Sequence, residues 1–345
     1  MFNFKNSYYL VIKNYCVKII KMEFNNLYKD SSLKLIISND IKESMLNHAY
    51  LLCGQDEVYL NYLAKQFAKQ VLCESEGCNN CSTCLKVEKA VHSDVLFFPK
   101  DSKKGLVVDD INEIVEKAYI YPLEASKKIF VINNFDLSTV QAQNKLLKTL
   151  EEPPKTSMFI LTSTNPSNIL NTIKSRSKSI NIPLLSDLQV ENFILKNSTL
   201  KPRDVKTYVS SAQGNLTKAL KIVNDADFVK IKELCFNTVL KLNSSGEILR
   251  YSSKIAEYKD RVNEIFDEIS LIMLDVLYVK TGITDRVINK DKIDDYQKSG
   301  FSIKALKLIH SKILDSQNKL KSNCNINAVI DGFLINMLEV KHKWK

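Results

Sequence analysis

Five short apolar runs alternate with helical patterns between residues 49 and 184. Several of these runs are continuously apolar instead of alternating, which is typical of strands that are covered on both faces. Parallel strands joined by helices produce this pattern, so the sequence predicts an α/β domain with a parallel sheet. The predicted strands are residues 49–54, 95–99, 128–133, 158–164 and 179–184.

Local start signals place two of the helices. Ser138 and Gln141 have the spacing of a capping box at the start of one helix, and Asp136 is predicted to cap the same helix. Ser186 and Gln189 repeat the capping-box spacing at the start of a small helical module.

The change in pattern along the 345 residues predicts three domains. The α/β pattern belongs to residues 22–184, a small helical module to residues 185–226, and helical patterns without proline to residues 227–345. Residues 1–21 carry four Lys and no acid, and we interpret them as an extension ahead of a start at Met22.

Composition limits the function classes only in part. The net charge of +10 fits a nucleic-acid partner, but a Lys-rich residue usage without a dense basic block explains it equally well. No run of 18 uncharged apolar residues exists, so we expect no membrane span. We expect a cytoplasmic protein, in which the eight cysteines do not form disulfides.

Four cysteines form the sharpest motif of the chain, in the segment CESEGCNNCSTC. Cys73, Cys78, Cys81 and Cys84 can place four thiolates around one zinc ion, and four protein ligands leave no open position, so the site is predicted to be structural. An iron–sulfur cluster, a redox pair and unliganded thiols are the alternatives.

The segment from Gly54 to Asn61 stands where a strand, a glycine turn and a helix would hold nucleotide phosphates. Such a loop needs several glycines, a Lys and a Ser or Thr, whereas here Glu57 and Tyr59 replace glycines and Leu60 replaces the Lys. Because these residues cannot make the phosphate contacts of such a loop, the sequence predicts that this chain binds no ATP.

The end of the strand KIFVIN repeats this loss. A Walker B strand ends in acids that hold Mg²⁺, but Asn133 and Asn134 stand there and are neutral. Both the phosphate-binding loop and the Walker B strand therefore lack the residues that bind a nucleotide and its Mg²⁺.

The segments HAYLLCG, ASKKIFVINNFDLSTVQAQNKLLKTLEEPP, FILTST and IKSRS, together with the cysteine quartet, resemble the clamp-loader subunits of bacterial DNA polymerase III, in particular delta-prime. The resemblance covers roughly residues 40–220. It implies an α/β AAA+ domain related to P-loop NTPases, a small helical lid and an all-α collar. It also implies gamma/tau and delta subunits as partners, with the sliding clamp and primer-template DNA reached through the complex.

The resemblance further implies that the chain hydrolyses no ATP itself and offers an arginine finger to a neighbour. Arg176 matches the arginine of the Ser-Arg-Cys motif of the family, although Ser177 replaces the Cys. Thr217, with Lys218 beside it, stands where a sensor arginine would contact the subunit's own ATP. Two alternatives remain at this point: an active motor ATPase of the same family, and a zinc-stabilised interaction module outside replication.

Overall fold

The computed structural model describes residues 11–12, 15–16, 27–29, 31–100, 106–197, 202–322 and 324–344. Two compact units divide the chain, Met1–Asn224 and Asp225–Lys345. The extension predicted for residues 1–21 lies outside the described residues, except for a short antiparallel pair of Val11–Ile12 (β1) and Tyr15–Cys16 (β2).

A five-stranded sheet with the order β4-β5-β6-β3-β7 forms the centre of the first unit, and every neighbouring pair is parallel. Its strands are Ala49–Cys53 (β3), Val95–Phe98 (β4), Lys128–Ile132 (β5), Ser157–Ser163 (β6) and Lys178–Asn181 (β7). All five predicted strands and their parallel arrangement are confirmed. Every residue of β3, β5 and β6 is buried, which explains why these runs show no alternation.

Helices cover both faces of the sheet. The helices of this unit are Ser32–Lys42 (α1), Glu57–Leu72 (α2), Ser82–Glu88 (α3), Val108–Ala118 (α4), Val140–Glu151 (α5), Asn171–Lys174 (α6), Asp187–Asn197 (α7), Pro202–Ala212 (α8) and Leu216–Val223 (α9). Ile111 and Leu146, from α4 and α5, share a buried cluster with Leu51 of β3. On the opposite face, Phe67 of α2 packs edge-on against Tyr50, with 4.8 Å between the ring centroids.

The two predicted helix starts have different outcomes. Ser186 and Gln189 bond reciprocally, as a capping box requires. The prediction at Ser138 is wrong by one residue, because Thr139 accepts the bond from the backbone N–H of Ala142. The Ser138 hydroxyl instead donates to the carbonyl oxygen of Phe135, and two adjacent hydroxyl residues make such a start ambiguous in sequence.

The second unit is all-helical. Its helices are Phe228–Lys241 (α10), Ser245–Ala256 (α11), Val262–Lys280 (α12), Ile293–Gln297 (α13), Ile303–Lys321 (α14) and Ile326–Lys343 (α15). Ile269 of α12, Ile309 of α14 and Phe333 of α15 belong to one buried core cluster. Within the described ranges, no helix combines the length and the apolar content that a membrane span needs.

The predicted fold class is confirmed in its architecture: an α/β domain with a parallel sheet is followed by helical segments. The separate lid at residues 185–226 stays a prediction, and this stretch contains α7, α8 and α9.

Candidate functional site

The connection between β3 and α2 is too short to surround a phosphate group. Only Gly54, Gln55 and Asp56 separate the two elements, and Glu57 already begins the helix. A Cβ atom at residue 54 would lie 3.0 Å from the carbonyl oxygen of Ile182. The remaining glycine is therefore explained by close backbone packing, and helix occupies most of the segment from Gly54 to Asn61.

The first backbone donors of α2 are already bonded to protein groups. The N–H of Tyr59 donates to a carboxylate oxygen of Asp56 at 3.1 Å, and the N–H of Val58 donates to the hydroxyl of Thr217 at 3.0 Å. Free N–H groups at a helix N-terminus are what makes it an anion site. A phosphate group at this position would have to displace both partners.

Side chains at the ends of the neighbouring strands β5 and β6 bond to side chains of α2. The Asn134 side-chain amide donates to the carboxylate of Glu57 at 2.7 Å, and its backbone N–H donates to the hydroxyl of Thr162 at 2.9 Å. That hydroxyl in turn donates to the side-chain oxygen of Asn61 at 3.1 Å. Asn61 and Asn134, which stand where a nucleotide site has Mg²⁺-binding groups, are thus linked to each other through the hydroxyl of Thr162.

Asp136 does not cap the helix that follows it, and that prediction is wrong. Its carboxylate accepts bonds from the hydroxyl and N–H of Thr164 and from the N–H of Asn165, in the loop after β6. The side chain thereby ties two loops at one edge of the sheet and does not compensate for the neutral Asn133 and Asn134.

The four predicted metal ligands come together. The sulfur atoms of Cys73, Cys78, Cys81 and Cys84 all lie within 4.8 Å of one another. Cys73 is 3.7 Å from both Cys78 and Cys81, measured between sulfur atoms. A tetrahedron with metal–sulfur bonds of ~2.3 Å has edges of about 3.8 Å, so the cluster has the size that one metal ion requires.

Backbone donors prepare some of these thiols for metal binding. Burial opposes ionisation of Cys73, but N–H groups of the loop, including those of Cys78 and Gly77, lower its pKa to about 6. The N–H groups of Asn80 and Cys81 lower the pKa of Cys78. A bound cation would favour the thiolate of each ligand.

The pKa of Cys84 moves in the opposite direction from those of Cys73 and Cys78. Burial raises it, so ionisation of this thiol depends on the metal itself. The four residues fit a structural metal site in which the ion supplies part of the ligands' ionisation.

A buried side chain of α2 also stabilises the cysteine loop. Lys69 is buried, and its ammonium donates to the side-chain oxygen of Asn79 at 2.7 Å and to the carboxylate of Glu88. Gly77 adopts a φ of +85°, in the left-handed region that favours glycine. Lys69 was not anticipated from the sequence, where it looks like any helix-surface Lys.

Arg176 lies just beyond α6 and is partly exposed. One guanidinium nitrogen donates to the carbonyl oxygen of Thr172 at 2.9 Å, and another forms an ion pair with Glu151 at 2.8 Å. About a third of the Arg176 side chain (34%) stays accessible, so it can exchange partners. The hydroxyl of Ser177 donates to the carbonyl oxygen of Ile173 at 2.9 Å, which fixes the end of this short helix.

Comparison with known proteins finds subunits of DNA polymerase III. The family model described as DNA polymerase III, delta subunit, matches residues 29–186. The chain is 24% identical to DNA polymerase III subunit delta' of Bacillus subtilis over 320 residues, covering 88% of this chain and 94% of the relative. The chain is thus similar to DNA polymerase III clamp-loader subunits over most of its length.

Two further DNA polymerase III subunits match over less of their own length. DNA polymerase III subunit tau of Bacillus subtilis is 27% identical over 300 residues, which cover 79% of this chain and 53% of tau. Subunit gamma of Buchnera aphidicola (subsp. Schizaphis graminum) is 32% identical over 199 residues, which cover 55% of this chain and 54% of gamma. The chain thus spans about half the length of these two relatives.

Among solved structures, a DNA polymerase III, gamma subunit-related protein of Thermotoga maritima matches 90% of this chain and 98% of its own, with 18% identity and a TM-score of 0.40. The Bacillus subtilis DNA clamp loader delta protein matches 89% and 99%, with 15% identity and a TM-score of 0.35.

Proposed function

We propose that this chain is a non-hydrolysing, delta-prime-like subunit of a bacterial DNA polymerase III clamp loader, acting in the cytoplasm. It helps to assemble the loader with gamma/tau and delta subunits. Through the complex it contributes to loading of the sliding clamp on primer-template DNA. Arg176 is offered in trans to the ATP of a neighbouring subunit.

This proposal rests on the hydrogen bonds that already occupy the position where a nucleotide would bind. The donors that a phosphate needs at the start of α2 are bonded to Asp56 and Thr217, and Asn61 and Asn134 are bonded to Thr162 and Glu57. No Lys stands in the segment from Gly54 to Asn61 to neutralise phosphate charge. An active motor ATPase would need all of these interactions to be replaced.

Three features of the Arg176 guanidinium support its role in trans. It follows a short helix whose end is fixed by Ser177, it is partly exposed, and its one ionic partner among the described residues is Glu151, itself about half exposed. Exposed ion pairs contribute only about 0–1 kcal/mol, so exchange of Glu151 for a phosphoryl group costs little.

We propose zinc as the metal of the cysteine cluster, with a structural role. Sulfur separations of 3.7 Å fit one ion, whereas an iron–sulfur cluster places several irons and sulfides between its cysteines and spreads them further apart. The ion would join the end of α2 to the start of α3, because Cys73 follows α2 and Cys81 precedes α3.

The isolated chain is expected to bind no ATP. Titration of Mg²⁺–ATP into the purified protein should give no saturable heat at millimolar nucleotide, because the phosphate donors are already bonded to Asp56 and Thr217 and the charge-neutralising Lys is missing. A clamp-loader subunit with an intact phosphate-binding loop, measured under the same conditions, serves as the positive control. A micromolar dissociation constant for this chain would contradict the prediction that it binds no ATP.

Assembly distinguishes the clamp-loader role from that of a zinc-stabilised module outside replication. Affinity capture of the native full-length chain should recover gamma/tau and delta subunits in one complex, and the reconstituted complex should load a sliding clamp on primed DNA. Capture of the chain without any of these subunits would contradict the proposal.

A further inference from the structure

The carboxylate of Asp56 joins the N-termini of two helices. Asp56 is the N-cap of α2, where it accepts from the N–H of Tyr59, and it also accepts from the N–H groups of Leu216 and Thr217 at the start of α9. Only 3% of the residue is exposed. Two helix N-termini thus converge on one buried anion.

The hydroxyl of Thr217 completes this arrangement. It donates to Asp56 at 2.7 Å and accepts from the N–H of Val58 at 3.0 Å, so it belongs to both helices' capping interactions. The side-chain amide of Asn215 adds a bond to the carbonyl oxygen of Gln55 at 2.8 Å. We call Asp56, Val58, Tyr59, Leu216 and Thr217 the Asp56 cluster.

Backbone N–H groups at a helix N-terminus, a hydroxyl and favourable helix dipoles are the elements from which proteins build phosphate sites. In the Asp56 cluster a carboxylate of the chain itself occupies such a position. The carboxylate is part of the chain, so the interaction does not require a bound nucleotide to supply the anion.

The turn that leads into α9 is fixed by backbone packing as well. Gly214 has a φ of +78°, and a Cβ atom there would lie 2.3 Å from the carbonyl oxygen of Leu185. The N–H of Leu185 donates to the carbonyl oxygen of Gly214 at 3.1 Å. This close approach aligns the N–H groups of Leu216 and Thr217 with the carboxylate.

We propose that Asp56 is a built-in anion that replaces a nucleotide phosphate at the start of α2 and fixes α9 there, so that α9 keeps its position independently of nucleotide. The proposal concerns the chain alone and holds whether or not Arg176 serves a neighbour. It goes beyond the absence of hydrolysis, because it assigns a positive conformational role to the residues that close the site.

Asp56→Asn tests the proposal in the full-length chain. The amide keeps the size of the side chain but loses the charge and one of two acceptor oxygens. Hydrogen exchange of backbone amides in residues 216–223, followed by mass spectrometry, should become about 10-fold to 100-fold faster, as the loss of charge-assisted hydrogen bonds implies. Exchange at the wild-type rate in a folded Asp56→Asn protein would overturn the proposal.

Asp136→Asn is the matched control, because this buried carboxylate accepts two backbone N–H bonds and one hydroxyl bond, against three and one for Asp56. It should accelerate exchange at Thr164 and Asn165 and leave residues 216–223 unchanged. If Asp56→Asn does not fold, Thr217→Val removes only the bridging hydroxyl and should give a smaller acceleration in the same segment.

The wild-type chain supplies a second test. Addition of Mg²⁺–ATP should leave exchange in residues 216–223 unchanged, because Asp56 already occupies the anion position. Protection of this segment by nucleotide would overturn the proposal.

Discussion

Replacing Cys78 and Cys81 together by Ser is expected to release the metal from the purified chain and to lower its melting temperature. Structural zinc contributes about 10–16 kcal/mol of binding free energy in small zinc peptides, and this free energy is coupled to folding. The cysteine loop connects only α2 and α3, so we expect a loss on the order of 3 kcal/mol for the whole unit. For a unit of this size that loss lowers the melting temperature by roughly 6–12 °C.

Metal content and thermal melting measure this result together. The wild-type chain should contain about one zinc ion and should show no absorbance typical of an iron–sulfur cluster. Cys324→Ser is the control for an exposed thiol, and Cys53→Ser is the control for a buried thiol outside the cluster. Both should keep the metal, whatever their effect on melting. A full metal complement after the double change would mean that the four cysteines are not the ligand set.

The sheet could be predicted from sequence because its strands are continuous apolar runs of the right length. KIFVI and SMFILTS become strands in which every residue is buried, which explains the missing alternation. Periodicity alone does not separate such runs from a buried helix, but their short length does. The cysteine cluster could also be predicted, because all four ligands lie within 12 residues and the short spacing limits how far they can separate.

Contacts between distant residues could not be predicted. Asp56 lies directly before α2, so its role as an N-cap follows a local rule. Its second set of partners, Leu216 and Thr217, is about 160 residues away, and no local pattern announces it. The ion pair of Glu151 with Arg176 could not be predicted either, because no local pattern links the segments LEEPP and KSRSK that contain these residues.

The role of Thr217 was missed because the sequence shows only what the residue lacks. In the sequence, Thr217 stands where a sensor arginine is missing. In the structure its hydroxyl bridges Asp56 and the N–H of Val58. The residue that replaces a nucleotide contact therefore supplies a contact of its own, and only three-dimensional proximity reveals it.

The guanidinium of Arg176 has the chemistry to stabilise phosphoryl transfer on a neighbouring subunit. Hydrolysis spreads negative charge over the γ-phosphoryl oxygens, and a planar, permanently charged group can contact several of them at once. Arginine fingers are worth ~10³–10⁵ in rate in well-studied GTPases. In a loader with several ATP sites, loss of one finger removes only the share of that site.

We therefore expect Arg176→Ala to assemble normally in the reconstituted complex, while DNA-stimulated ATP hydrolysis falls by the share of one site and clamp loading falls with it. Assembly should persist because the side chain is partly exposed and its ion pair with Glu151 contributes little. Arg176→Lys should restore little activity, since an ammonium keeps the charge and loses the planar fork.

Lys174→Ala removes the same charge two residues away and should leave hydrolysis near the wild-type rate. Steady-state hydrolysis and clamp loading measure the effect, and gel filtration checks assembly. Full activity of an intact Arg176→Ala complex would show that this guanidinium serves no neighbouring site.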